Sequence, residues 1–210
     1  MTYLPYAGIG SRSTPTHIQS IMRHIGSHLA SQGWTLRSGG ANGADTAFEV
    51  GADDQSTVMG ILPRTEIYLP WAGFNNNPSP LYPRNIPFSD EEIAISMGHH
   101  PAWDKCSPSA RIMHQRNLRQ MIGHQSVCGD TVQVSKFVVC WTEGGKMSGG
   151  TSQALRLAKS LDVPVINLGQ AINEGDLEAM VREIDALQNQ FKKEATDAVG
   201  HLPIGTLTPA

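Results

Sequence analysis

The residues of this chain that could do chemistry gather at three glycine-rich turns, residues 8–14, 38–45 and 144–151. Each follows a short apolar run and precedes a helical pattern. Glycine lets a backbone approach a ligand closely, and a helix N-terminus offers free N–H groups and a partial positive charge. Phosphate is the natural guest. The candidate ligand-binding residues are Gly10, Ser11 and Arg12 in the first turn, and Ser38, Gly39, Gly40, Ala41 and Asp45 in the second. Thr142, Gly149, Gly150 and Thr151 belong to the third. One such turn reads equally well as a tight turn and nothing more; three in one chain favour a common pocket. None is a standard phosphate motif. There is no G-x-x-x-x-G-K-S/T, and Gly8-Ile9-Gly10 lacks the third glycine of a dinucleotide turn. No cofactor is therefore expected.

Charged and polar side chains add to the turns. Arg12 and Arg116 suit a phosphate and Asn117 a sugar or base, against the competing reading of a surface charge and a solvated helix face. Asp45 reads equally as a favourable acid in the first turn of a helix or as a partner for a ribose hydroxyl. The segment His99-His100-Pro101-Ala102-Trp103-Asp104-Lys105-Cys106 matches no standard zinc spacing, so no metal is expected. It reads as a structural loop or as a lid. In a lid, Trp103 would stack on a base and His99 or His100 would make a polar contact, with Trp71 and Phe74 lining the same mouth. Cys140 sits in an apolar run and reads as core.

These residues need a scaffold, and the hydrophobic pattern supplies one. Residues 6–10, 34–37, 66–69, 137–141 and 163–168 read as strands, and 57–62 as a further strand-like run. Between them lie helical patterns. Ile18, Ile21, Met22, Ile25 and Leu29 share one face, with Thr14 as cap and Pro15 at the first helical position. Ala44, Ala47, Phe48 and Gly51 share another, small enough to pack closely on a sheet. Ser89 and Glu92 form a capping box, and residues 110–123 read as helix. Ala154, Leu155, Ala158 and Leu161 share a face, as do Leu177, Met180, Val181, Ile184 and Leu187. Strands alternating with helices imply an α/β fold, Rossmann-like and doubly wound, with a mostly parallel sheet and helices on both faces. Residues 70–87 carry five prolines, so no helix or central strand runs there. The organisation expected is one domain over 1–194 with a loop-rich insertion at about 70–110, then an irregular tail over 195–210.

Bulk properties narrow the function. The chain has 210 residues, a net charge of −3 and a pI near 6.2. Proteins that live by phosphate-backbone contacts are usually basic, so nucleic acid is disfavoured as a partner. No apolar run is long enough for a membrane span, and the first ten residues do not read as a secretory signal. Three cysteines with no CxxC pair fit a reducing cytoplasm.

The strings Gly8-Ile9-Gly10-Ser11-Arg12, Ser38-Gly39-Gly40-Ala41-Asn42-Gly43-Ala44-Asp45, Arg116-Asn117 and Gly149-Gly150-Thr151 resemble the SLOG superfamily. That group includes the lonely-guy phosphoribohydrolases and the Rossmann domain of DNA-processing protein A. The match spans about residues 6–170 and is nearest to small bacteriophage members. It implies a pocket for nucleotides or nucleotide-derived signals, and pairing into a dimer or larger homo-oligomer. The phosphoribohydrolases carry a glutamate three residues after the threonine of their P-G-G-x-G-T motif; here that position is Ala154. Loss of this carboxylate favours binding without turnover. In a phage protein, acting in the host cytoplasm, that means sequestering a cyclic or ADP-ribose-type immune signal. Two alternatives stand beside it. One is a nucleotide N-glycosidase, with Glu143 or Asp45 as the acid–base group. The other is a single-stranded DNA-binding recombination mediator, against which the acidic charge argues.

Overall fold

The structure is a computed structural model, and it describes residues 4–128, 133–147 and 149–200. Five strands form one sheet: β1 (Pro5–Gly10), β2 (Thr35–Ser38), β3 (Thr65–Ile67), β4 (Val138–Trp141) and β5 (Val165–Asn167). All pair in parallel, in the order β3-β2-β1-β4-β5. Pro5 lies opposite Thr35, Gly10 opposite Trp141 and Val139 opposite Ile166. The chain winds outward from β1 in one direction and then, from β4, in the other. The gap between β1 and β4 is the switch point where open α/β sheets take their ligands.

The helices are α1 (Thr16–Ser31), α2 (Ala44–Met59), α3 (Asp90–Gly98), α4 (Pro108–Ile122), α5 (Gln125–Cys128), α6 (Thr151–Ser160) and α7 (Glu174–Gly200). Side chains alternate across a strand, so a sheet covered on both faces needs apolar residues at every position. β4 meets this. Phe137 and Val139 join a core with Tyr6, Leu36, Ile166 and the inner faces of α1, α2 and α7. Val138 and Cys140 join a second core with Ala7, Ile9, Leu118 and Met121 of α4, and Ala154 and Leu157 of α6. The fold is Rossmann-like α/β, with helices on both faces.

Several local expectations need revision. The run 57–62 is not a strand: Thr57 and Val58 belong to α2, and the chain turns at Gly60 with φ +65°. Val58 and Leu62 face solvent, so the run has no sheet to join. Thr14 does not cap α1. Its hydroxyl donates to Ser11 O at 2.7 Å within the first turn, and Pro15 occupies the cap position. The small residues of α2 serve α1 as well as the sheet. A Cβ at Gly51 would lie 2.1 Å from Arg23 O, and one at Gly26 would lie 2.6 Å from Phe48 O, so the two helices touch backbone to backbone. α7 continues through Ala195, which packs on the first core, to Gly200. The rest of the expected tail lies outside the described residues. Among the described residues no helix is long and apolar enough to cross a membrane.

The end of the proline-rich stretch is held by a buried arginine. Arg119 of α4 is almost fully buried. Its Nε and Nη2 donate to Glu92 at 2.7 and 2.8 Å, Nη1 to Ile86 O at 2.6 Å, and Nη2 also to Pro87 O at 2.6 Å. The Phe88 ring lies 4.1 Å from the same guanidinium. Glu92 is placed for this by the Ser89 capping box that starts α3. A second buried pair, Arg37 Nε with Glu66 Oε2 at 3.0 Å, crosses from β2 to β3.

Candidate functional site

The carboxyl ends of the central strands open into a cavity of about 760 Å³. Its floor is the first turn, Ile9 to Ser13 by way of Gly10, Ser11 and Arg12. One wall is Ala41 and Asp45 of the second turn. The opposite wall is Thr142, Glu143, Gly149, Gly150, Thr151 and Ala154. α4 closes the top with Ala110, Met113, His114, Arg116, Asn117 and Gln120. Strand ends and α4 thus bring together residues from across the chain.

Arg116 and Asp45 are the charged centre. Both are almost wholly buried, and Arg116 Nη1 lies 3.4 Å from Asp45 Oδ2. Asp45 Oδ2 also accepts from the Ala41 amide at 3.3 Å. Burial pushes the Asp45 carboxyl above its ordinary range, while Arg116 and the Ala41 and Gly10 amides pull it back. Arg116 Nε has no partner among the described residues. A buried guanidinium whose Nε donor is unpartnered is poised for an anion.

Gln120, in the amide orientation that satisfies its neighbours, knits this centre to α4. Its oxygen accepts from Arg116 Nη1 and from the Gly39 amide, both at 2.9 Å, and its nitrogen donates to Asn117 Oδ1 at 3.2 Å. Asn117 Nδ2 donates to Gln153 Oε1 at 3.1 Å and Gly150 O at 3.3 Å. On the far wall Thr142 Oγ1 accepts from Asn167 Nδ2 at 2.7 Å. Its own hydroxyl hydrogen has no acceptor among the described residues and is free for a ligand. The N-terminus of α6 begins at the cavity edge with no side-chain cap, leaving backbone donors to an anion. Glu143 lines the cavity and is exposed, as is Arg12.

The sequence-predicted residues divide cleanly. Gly10, Ser11, Arg12, Ala41, Asp45, Arg116, Asn117, Thr142, Glu143, Gly149, Gly150 and Thr151 all line the cavity. Ser38, Gly39 and Gly40 stand behind it. Ser38 Oγ donates to Gly8 O at 2.6 Å, joining β2 to β1, and Gly40 O accepts from Asn75 Nδ2 at 2.8 Å. Gly39 makes room for Arg116. Trp71, His99, His100 and Trp103 do not line the cavity. Trp71 packs edge-on against Phe74, and Trp103 is buried. His99 is fixed through both ring nitrogens, Nδ1 to Ile95 O and Nε2 to Ser160 Oγ. Met113, His114 and Gln120 were missed, because the pattern of α4 marks its inner stripe but not which turn of that stripe faces the switch point.

One cluster of side chains bears on the expectation of no metal. His100, Cys106 and His114 each offer a ligand atom, and these atoms all lie within 4.8 Å of one another. The first two flank one loop and the third comes from α4, so no compact motif announces them. Burial, and after it His100, Arg156 and Arg116, push the His114 imidazole down to about 4.

No family model matches the chain, and no curated protein does. Among solved structures the chain is similar to DNA processing protein A from Helicobacter pylori, described by its single-stranded DNA binding mode. The identity is 18%, the TM-score 0.46, and the match covers 93% of this chain and 82% of that one. This corrects the expectation drawn from net charge that nucleic acid is disfavoured: the compared protein binds single-stranded DNA. Net charge averages over a whole surface and excludes no local groove. The α/β architecture itself rests on the sheet order and the two cores described above.

Proposed function

We propose that this chain binds a phosphate-bearing, nucleotide-derived small molecule in the cavity between β1 and β4, and holds it without turnover. The observation that carries the reading is Arg116. Its guanidinium is buried at the cavity wall, loosely paired with Asp45, and its Nε lacks a partner. The volume of about 760 Å³ lies within the roughly 300–1,000 Å³ of small-molecule sites. The α6 N-terminus and Arg12 suit a second phosphate or a diphosphate, and Asn117 and Thr142 suit a sugar. Binding without turnover is supported by Ala154, which lines the cavity where the resembled phosphoribohydrolases carry a glutamate. The SLOG resemblance points the same way.

Asp45 sustains a second reading. A cavity carboxyl raised by burial is a candidate proton donor, and Glu143 lies on the opposite wall. N-glycosidic hydrolysis would use these two. The purified protein is incubated with mononucleotides, ADP-ribose, cyclic nucleotides and a single-stranded oligonucleotide. Bound material is then released by heat and identified by mass spectrometry. One intact small ligand is the expected result. A free base or ribose phosphate replaces binding with hydrolysis. A salt-sensitive complex with the oligonucleotide alone replaces it with single-stranded DNA binding.

A further inference from the structure

We propose that His100, Cys106 and His114 form a site for a zinc-class transition metal at the edge of the cavity, independently of what the cavity holds. The three ligand atoms converge to within 4.8 Å of one another. Tetrahedral zinc with nitrogen and sulfur ligands has ligand–ligand edges of roughly 3.3–3.6 Å, from bond lengths of about 2.0–2.3 Å. The distance from His100 Nδ1 to Cys106 Sγ is already 3.6 Å. Small side-chain rotations bring in the third.

The hydrogen bonding around the cluster favours a ligand role. His114 Nδ1 is buried with no partner among the described residues. Its ring lies 4.3 Å from that of His100, centroid to centroid. His100 Nδ1 accepts a 3.3 Å bond from the Ala102 amide and lies 3.6 Å from Cys106 Sγ, and the Cys106 thiol is also 3.6 Å from Ala102 O. None of these contacts is strong enough to compete with a metal bond. His99, with both ring nitrogens engaged, is excluded as the ligand. Two imidazoles and a sulfur select zinc, or another thiophilic ion, over magnesium and calcium, which take oxygen. On binding, Cys106 loses its proton to solvent and coordinates as thiolate. Three protein ligands leave a fourth position for an exchangeable group. Because His114 also lines the cavity, the ion borders the proposed nucleotide site.

The test uses the full chain stripped of metal with a chelator. Titration with Zn²⁺ alone, followed by calorimetry, is expected to give one ion per chain. Co²⁺ in its place is expected to give a thiolate-to-metal charge-transfer band. Cys106→Ser should abolish the band, whereas Cys140→Ala should keep it. His114→Ala should weaken Zn²⁺ binding by more than the roughly 10–100-fold that losing an outer-shell partner costs. No band, or a band that survives Cys106→Ser, overturns the site. Should the variants misfold, alkylation of the unaltered protein decides, with Cys106 located by peptide mapping. Protection of Cys106 by Zn²⁺ supports the site, and an unchanged alkylation rate refutes it.

Discussion

Gly39 is the seat of Arg116: a Cβ at residue 39 would lie 1.3 Å from Arg116 Nη1 and 2.6 Å from the Gln120 side-chain amide oxygen. Gly39 therefore shapes the cavity by admitting a side chain from α4, while Ala41 and Asp45 of the same turn line it. Gly39→Ala is expected to displace Arg116 and lower nucleotide affinity by about 10–100-fold, the worth of a charged hydrogen bond. Equilibrium dialysis against the ligand found in the panel reads this directly. Affinity equal to that of the unaltered protein would show that Arg116 is not a ligand contact.

Asp45→Ala leaves Arg116 buried without its counter-charge. The expected loss is about 3–5 kcal/mol of folding stability, measured by urea unfolding. Arg116→Met removes the charge and keeps the bulk, so it should cost less stability while abolishing binding. Equal stability losses in the two variants would contradict the pairing.

Thr142→Val keeps the shape but deprives Asn167 Nδ2 of its acceptor. A buried amide left without a partner costs about 1–3 kcal/mol. The variant should also bind a ribose-bearing ligand more weakly than its deoxy analogue predicts. A thermal melt and a binding curve on the same sample separate the two effects.

Glu92 gives the pH dependence. Burial works to raise its carboxyl, but the hydrogen bonds from Arg119 and the Ser89 amide outweigh it and hold the group below its ordinary 4.5. A carboxyl depressed in the folded state stabilises above its unfolded value, and that contribution is lost as pH falls through the folded value. Stability should therefore decline on acidification below about 4.5, with α3 and its Glu92 loosening from Arg119 of α4. Glu92→Gln should flatten that decline in unfolding curves taken from pH 6 to pH 3. An identical acid limb in the variant would show that the clamp does not govern it.

The strands, the helix faces and the three turns were readable from hydrophobic period and glycine placement, because both are local. β1 announces itself as an apolar run ending in Gly10, and β4 as one followed, after Thr142 and Glu143, by Gly144 and Gly145. The strand mistaken at residues 57–62 shows the limit. Thr57 and Val58 favour strands by type, yet α2 was already under way and no sheet edge waited for them. Within the site, Asp45 and Arg116 were legible as candidates, but their pairing was not, since 71 positions separate them. The roles of Gly39 and Gln120 depend on where α4 crosses the second turn, which no spacing encodes. His114 was invisible for the same reason.

The cavity is assembled from turns that the chain makes far apart in time. Gly10 and Asp45 emerge early in synthesis, Arg116 much later, and Thr151 last. β4 lies beside β1, so the third turn faces the first across the cavity. A nascent chain halted before α6 lacks the wall that Thr151 and Ala154 supply. In the proposed reading, ligand capture reports that the three turns have come together, and a ligand present during synthesis would favour completed chains over stalled ones.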